Sequence, residues 1–188
     1  RTLGNLYLGV GLIFEKKDER PIQAEYVEKG LKTFQTLKSD NPNQLQGKAD
    51  FARAMWHWAY IVRLKGDNQG AIKIYSQVAE IYEELGKGNE LPQKYKRSAA
   101  LTYKNIGSIY ILEKDFPKSL EFYQKAFVYD KENAEISTDN VESQMDLVFT
   151  HNCLGSAYFN LKEIEKAIAE YKISIPILEK LNSLDAKN

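Results

Sequence analysis

The sequence has little of what marks a disulfide framework, a membrane span or a nucleic-acid binder. Cys153 is the one cysteine among 188 residues, so no intrachain disulfide can form. No apolar run approaches the roughly twenty residues that a transmembrane helix needs. Lys and Arg together number 26, as do Asp and Glu, whereas a nucleic-acid or anionic-membrane surface needs an excess of basic charge. We therefore expect a cytoplasmic protein that has neither a nucleic-acid nor a membrane partner.

Proline is also scarce, and its positions are informative. Only five prolines punctuate the chain. Pro21, Pro92 and Pro117 stand where helices are expected to start, because proline is tolerated in the first helical turn. No alternation of apolar and polar residues is long enough to predict a strand. The sequence therefore predicts an all-helical protein.

What the chain does contain is a repeat of 48 residues. Small residues recur at this offset, and so do bulky apolar or aromatic residues three positions after them. The small residues are Gly11, Ala59, Gly107 and Gly155, and the bulky ones are Phe14, Val62, Tyr110 and Tyr158. A fixed period of this size indicates stacked supersecondary units, each of which contacts only its neighbours.

Each unit is predicted to contain two helices joined by a tight turn. In the third unit Ile106 and Ile109 belong to an apolar series with helical spacing, and Asp115 then supplies a capping side chain for the next helix. In the second unit Gly66 suits a left-handed helix end, and Asp67 suits the following cap. Four such units predict eight helices in antiparallel pairs.

The residues of the third unit resemble a known signature. Tyr103, Ile106, Gly107 and Tyr110, followed by Tyr123, are similar to the tetratricopeptide (TPR) motif, and the pattern recurs in the fourth unit and more loosely in the second. The resemblance implies an all-α fold, a right-handed superhelical array of four helix-turn-helix units. A period of 48 instead of the usual thirty-four implies longer helices, as in TPR arrays of bacterial signalling proteins.

The resemblance covers the whole chain as a single TPR-like repeat domain over residues 1–188, which we expect to be part of a longer protein. Its units are expected at about 1–38, 46–86, 92–133 and 141–182, with polar connectors at 39–47, 86–90 and 131–140. The first unit is degenerate, because Gln23 and Val27 stand where the later units carry Ala or Ser and Tyr.

The resemblance also implies a partner, because the first helix of each TPR pair lines a groove that takes an extended peptide or a helix. In the second unit Arg53, Trp56, Tyr60 and Arg63 follow one another at steps of three, four and three, which places them on one helix face. Arginine and aromatic residues are enriched at binding hot spots. The corresponding candidates in later units are Lys104, Ser108, Asn152, Ser156 and Phe159.

Two alternatives stay open for this surface. Trp56 and Tyr60 can simply pack between units while the arginines are solvated. A chaperone-type carboxylate clamp is not predicted, because Leu12 and Tyr60 stand where that site needs asparagine. Lys104 and Asn152 are still expected to offer polar contacts to a peptide.

No set of residues predicts catalysis. His151 and Cys153 are two positions apart and point to different helix faces, and they supply only two of the three or four ligands that a zinc site needs. We therefore expect no enzyme activity, no cofactor and no metal ion.

The predicted function is a protein-protein interaction or scaffold module. The alternative is a sensor that binds a signalling peptide and controls a linked effector such as a bacterial Ser/Thr kinase. Past Leu181 the given sequence is too short for the polar capping helix that repeat arrays usually need. We therefore expect either further sequence beyond Asn188 in the parent protein or self-association on the face that carries Ile168, Ile175 and Leu178.

Overall fold

The computed structural model describes residues 1–14, 16, 18–87, 91–136 and 138–185, and all regular structure among them is helical. The helices are α1 (Thr2–Ile13), α2 (Arg20–Asp40), α3 (Leu45–Leu64), α4 (Asn68–Gly86), α5 (Gln93–Leu112), α6 (Phe116–Ile136), α7 (Val141–Asn160) and α8 (Ile164–Asp185). Within the described ranges the prediction of an all-α fold built from eight helices is confirmed.

The tight turns of the second, third and fourth units follow the same 48-residue period. Gly66, Lys114 and Lys162 have φ angles of 88°, 60° and 66°, so each turn uses one left-handed residue. Glycine takes this conformation without strain, whereas a side chain with a Cβ does so at a cost. Asp67 follows the first turn as predicted, and its Oδ1 accepts a hydrogen bond from the Gly70 amide at 2.8 Å.

Two of the predicted connectors are shorter than their polar composition suggests. The segment 39–47 is mostly helical, because α2 ends at Asp40 and α3 begins at Leu45. The segment 131–140 is helical up to Ile136, so the expected end of the third unit is too early. Asn133 and Ala134 are buried there, and tertiary packing therefore extends the helix through polar residues. In the connector 86–90, residues 88–90 lie outside the described residues.

The chain divides into two compact units, Arg1–Tyr95 and Lys96–Asn188. In the first, α1, α2, α3 and α4 pack in chain order, and consecutive helices are in contact. Its core cluster consists of Leu8, Ala24, Val27, Phe34, Ala54 and Ile61. In the second unit α6 packs on α7 and α7 on α8. Tyr123, Leu154 and Ala157 form a core cluster there.

Glycine permits close approach between the two helices of a pair. A Cβ on Gly11 in α1 would lie 2.9 Å from the Val27 side chain of α2, and a Cβ on Gly155 in α7 would lie 2.8 Å from the Tyr171 ring of α8. Real Cβ atoms do not come this close to a neighbour, so these positions require glycine unless the neighbour moves. The interpretation of the small residues in the repeat is confirmed at both sites.

Candidate partner-binding surfaces

In the first compact unit α3 carries four of the predicted site residues, Arg53, Trp56, Tyr60 and Arg63, which we call the α3 patch. Tyr60 is the most open of them, with 39% of its surface exposed. Trp56 is half-buried, and its ring meets the ring of Tyr75 on α4 edge-on at 6.0 Å. The α3 patch therefore combines an exposed aromatic residue with an anchored one.

The two arginines of the α3 patch differ in their surroundings. Arg53 donates from Nη2 to Oδ1 of Asn5 at 2.5 Å and lies 3.7 Å from the buried carboxylate of Asp50. Its guanidinium also lies 5.5 Å from the ring centroid of Phe34. Arg63 makes no side-chain hydrogen bond or ion pair to any residue that the structure describes. Arg63 is therefore the arginine that is available to a partner.

A cavity of about 350 Å³ opens beside the α3 patch, between α1, α2 and α3. Its lining comprises Leu12, Arg20, Gln23, Trp56, His57, Tyr60 and Leu64, and we call it the α1–α3 cavity. Burial lowers the pKa of His57 to about 4, with a smaller contribution from the charge of Arg53, so its imidazole is neutral at neutral pH. Among the described residues that line the cavity, the guanidinium of Arg20 therefore carries the one permanent charge.

Sequence reasoning had not assigned Arg20 or Gln23 to a site. Their positions on α2 and that of Trp56 on α3 become neighbours only through helix packing. One signal was present in the sequence, because Gln23 occupies a repeat position that holds Ala71, Ser119 and Ala167 in the other units. We call these four positions the small-residue column.

In the second compact unit α7 carries Asn152, Ser156 and Phe159, which we call the α7 patch. Phe159 is 55% exposed, and Ser156 is half-buried. Asn152 is exposed, and its Oδ1 accepts a hydrogen bond from the Ser174 hydroxyl of α8 at 3.1 Å. Ser108 on α5 is half-buried and donates to the carbonyl of Asn105 in its own helix at 3.0 Å. The α7 patch is thus an exposed aromatic residue with polar neighbours.

Lys104 forms an ion pair inside the protein instead of the expected polar contact with a peptide. Its side chain is only 4% exposed, and Nζ lies 2.9 Å from Oδ2 of the fully buried Asp130 on α6. Thr150 on α7 donates to the same carboxylate oxygen, and Asp146 lies 3.7 Å from the ammonium. Burial raises the pKa of Asp130, while Lys104 and Thr150 oppose that rise. Lys104 therefore joins α5, α6 and α7 instead of presenting its charge to a peptide.

His151 and Cys153 occupy separate environments, as expected for residues two apart on a helix. His151 is buried, with Nδ1 2.7 Å from Oε2 of Glu170 and its ring edge-on to Phe127. Burial raises the pKa of the Cys153 thiol to about 11, so the thiolate is scarce at neutral pH. His151 is thus a packed residue of the protein interior.

Two other kinds of site, a metal site and a membrane span, are absent from the described ranges. No cluster of three or more His, Cys, Asp or Glu side chains there is arranged to hold a metal ion. No helix in the described part of the chain combines the length and the apolar character needed to cross a membrane.

Comparison with known proteins identifies the fold. No family model and no curated protein matches the chain. Among solved structures, BtubC from P. vanneervenii superposes with a TM-score of 0.72 at 18% identity, over 96% of this chain and 65% of BtubC. The apo form of RapI gives a TM-score of 0.72 at 15% identity, over 97% of this chain and 58% of RapI. The chain therefore spans less than two thirds of the length of either protein.

A third solved structure carries the repeat in its description. It is a putative kinesin light chain from Podosopora anserina with nearly identical TPR-like repeats. It gives a TM-score of 0.50 at 10% identity, over 94% of this chain and 95% of that one. Likenesses at such low identity concern the fold. The chain has the fold of the TPR-like helical repeat proteins, as its sequence motif indicated.

Proposed function

We propose that this protein is a non-catalytic interaction module that binds a peptide or protein segment on the first-helix faces of its units. The observation that carries the proposal is the α3 patch. It combines the exposed ring of Tyr60, the anchored ring of Trp56 and the available guanidinium of Arg63 on one helix face. Aromatic residues and arginine supply most of the binding energy at protein interfaces. The α7 patch, with Phe159 exposed, is proposed as a second contact surface.

A pull-down with the whole chain, followed by calorimetry on the captured protein, tests this proposal. We expect the double variant Tyr60→Ala with Arg63→Ala to weaken binding at least tenfold, as loss of a hot spot does. Phe159→Ala is expected to weaken it by a smaller factor, because this residue lies in the second patch. Gln77→Ala, an exposed substitution on α4, is the matched control and should bind like the wild type. Unchanged affinity in both patch variants would sink the proposal.

A sensor that switches a linked effector, such as a bacterial Ser/Thr kinase, is the second proposed function. The Lys104–Asp130 ion pair favours it, because this buried contact connects α5, α6 and α7, so a displacement of one helix is transmitted to the others. A sensor changes shape when its ligand binds, whereas a scaffold keeps its shape. Small-angle scattering with and without the captured partner separates them. An unchanged radius of gyration supports the scaffold.

Self-association through α8 is proposed as an additional property. Ile168 and Ile175 are exposed on this helix, and Leu178 is half-buried. Apolar residues clustered on one exposed surface favour contact with another chain. Sedimentation velocity across a range of concentrations tests it. We expect a concentration-dependent dimer that Ile168→Lys abolishes, and a monomer at every concentration would refute the idea.

A further inference from the structure

The α1–α3 cavity contains polar atoms that have no hydrogen-bond partner within the described ranges. Nε of Arg20, Oε1 of Gln23 and Nε1 of Trp56 are each buried without a hydrogen-bond partner among the described residues. All three side chains line this one cavity. Buried polar groups are nearly always paired, and leaving them unpaired is unfavourable. Two unpaired donors and one unpaired acceptor in the same cavity indicate a place for a polar ligand.

Gln23 is the most informative of the three residues. It is only 4% exposed, and it interrupts the small-residue column, whose other members are buried alanines and a serine. A small residue would satisfy helix packing here, as it does in the other units. The long amide instead brings a hydrogen-bonding group into the interior between the helices. Packing alone therefore does not account for glutamine at this position.

Charge and geometry indicate which group the cavity accepts. Arg20 is held in place by a hydrogen bond from Nη1 to the carbonyl of Leu64 at 3.4 Å, and it forms no ion pair with any described residue. A half-buried guanidinium without a counter-charge attracts an anion, and carboxylates match its donor geometry. Trp56 adds an N–H donor, while Leu12 and Leu64 add apolar walls.

The remaining groups limit the ligand further. Because the imidazole of His57 is neutral, Arg20 carries the single full charge among the described lining residues, and one positive charge suits a monoanion better than a phosphate group with two charges. A volume of about 350 Å³ matches a small organic group rather than a folded segment. A carboxylate attached to a small apolar body meets both requirements.

We propose that the α1–α3 cavity binds such a carboxylate, with Arg20 and Trp56 donating to its oxygens and Gln23 accepting from a neighbouring N–H or O–H of the ligand. This inference goes beyond the proposed interaction function, because the carboxylate can belong to a free small acid or to a peptide. The residues involved lie mainly on α2 and so differ from the polar residues that a groove-type carboxylate clamp requires.

The indole N–H resonance of Trp56, assigned with the help of Trp58→Phe, is a direct reporter of binding. Sodium benzoate is the first probe, and neutral benzamide is its matched control. We expect benzoate to give a saturable shift of the Trp56 signal and benzamide to bind at least tenfold more weakly. N-acetyl-glutamate α-amide, which keeps only the side-chain carboxylate, and a dipeptide with a free C-terminus serve as further arms. The compound that binds most tightly shows whether the carboxylate belongs to a free small acid or to a peptide.

Two variants test the assigned residues. Arg20→Gln is expected to weaken benzoate binding at least tenfold. Gln23→Ala is expected to weaken it severalfold while leaving the fold intact, because alanine occupies the same column elsewhere. Lys65→Gln removes a nearby exposed positive charge that does not line this cavity, and it should bind like the wild type. Absence of a Trp56 shift with all three acids overturns the proposal, as does an undiminished shift in Arg20→Gln. Because Tyr60 also lines the cavity, the pull-down is repeated with Arg63→Ala alone, whose side chain lies outside the cavity lining, and the two proposals then fail separately.

Discussion

Tyr123 of α6 lies directly over Gly107 of α5. A Cβ placed on Gly107 would stand 2.7 Å from Cε1 of that ring. Tyr123 is only 4% exposed, so its ring has no room to turn away. The pair repeats 48 residues later as Gly155 and Tyr171, but there the ring is 40% exposed. The same glycine and tyrosine pair is thus tightly packed in the third unit and partly exposed to solvent in the fourth.

We expect Gly107→Ala to destabilise the protein by about 1 kcal/mol, because overpacking costs more than the gain in helix propensity. Gly155→Ala should cost less, since the Tyr171 ring can move toward solvent. Gly9→Ala is the control, as no atom lies within 4 Å of the added Cβ, and it should stabilise the helix by about 0.5–1 kcal/mol. Urea denaturation of the three variants checks the order. Equal effects at Gly107 and Gly9 would contradict this account.

The left-handed turn residues make a second prediction. Lys114 and Lys162 adopt φ angles that glycine adopts freely, and Gly66 occupies the equivalent turn in the earlier unit. Lys114→Gly should therefore stabilise the protein by about 1 kcal/mol, and Gly66→Ala should destabilise it by about 1–2 kcal/mol. Thermal unfolding measures both. A destabilised Lys114→Gly would show that the lysine side chain contributes more than its backbone strain costs.

A third prediction concerns the buried ion pair between Lys104 and Asp130. Lys104→Met leaves the fully buried carboxylate of Asp130 uncompensated and should cost about 3–5 kcal/mol. The double variant Lys104→Met with Asp130→Leu should recover most of this loss, because leucine stands at the equivalent repeat position, Leu178. Denaturant titration of the single and double variants gives the comparison. A double variant as unstable as the single one would be evidence against the pair as the cause.

A fourth prediction concerns the pH dependence of stability and rests on the imidazole of His57. Burial lowers its pKa to about 4 in the folded state, against an ordinary value of 6.5. Between about pH 4 and pH 6.5 the His57 imidazole is therefore protonated in the unfolded chain and neutral in the folded chain. Stability is full above pH 6.5 and falls as the pH drops toward 4, by about 3 kcal/mol in total.

His57→Asn supplies the comparison, because Asn105 occupies the equivalent repeat position. The free energy of unfolding is measured from pH 7.5 to 4.5 for both proteins. The wild type should lose stability more steeply than the variant through this range. Parallel curves would mean that His57 is solvated in solution.

The sequence reveals the helices and turns because both depend on neighbours along the chain. The apolar spacing around Ile106 and Ile109 depends on the periodicity of a single helix, and the turn at Gly66 and Asp67 depends on local backbone preference and capping. The end of α6 at Ile136 was missed for the opposite reason. Its last turn is stabilised by the burial of Asn133 and Ala134, which no local pattern reveals.

The candidate site was predictable only in part. Helical spacing placed Arg53, Trp56, Tyr60 and Arg63 on one face, since that geometry is set within a single helix. It did not distinguish Arg53, whose guanidinium donates to Asn5, from Arg63, whose side chain has no hydrogen-bond or ion-pair partner in the described part of the chain. That difference depends on a residue of another helix, 48 positions away in the chain.

By itself, then, the sequence determined the repeat, the helical fold and the turn chemistry, all of which arise from interactions between residues close in the chain. Only the tertiary structure decided which polar groups are paired. It enclosed Lys104 with Asp130. It left Nε of Arg20, Oε1 of Gln23 and Nε1 of Trp56 in one cavity without hydrogen-bond partners among the described residues. Pairing depends on distances between side chains on different helices, and packing alone sets those distances.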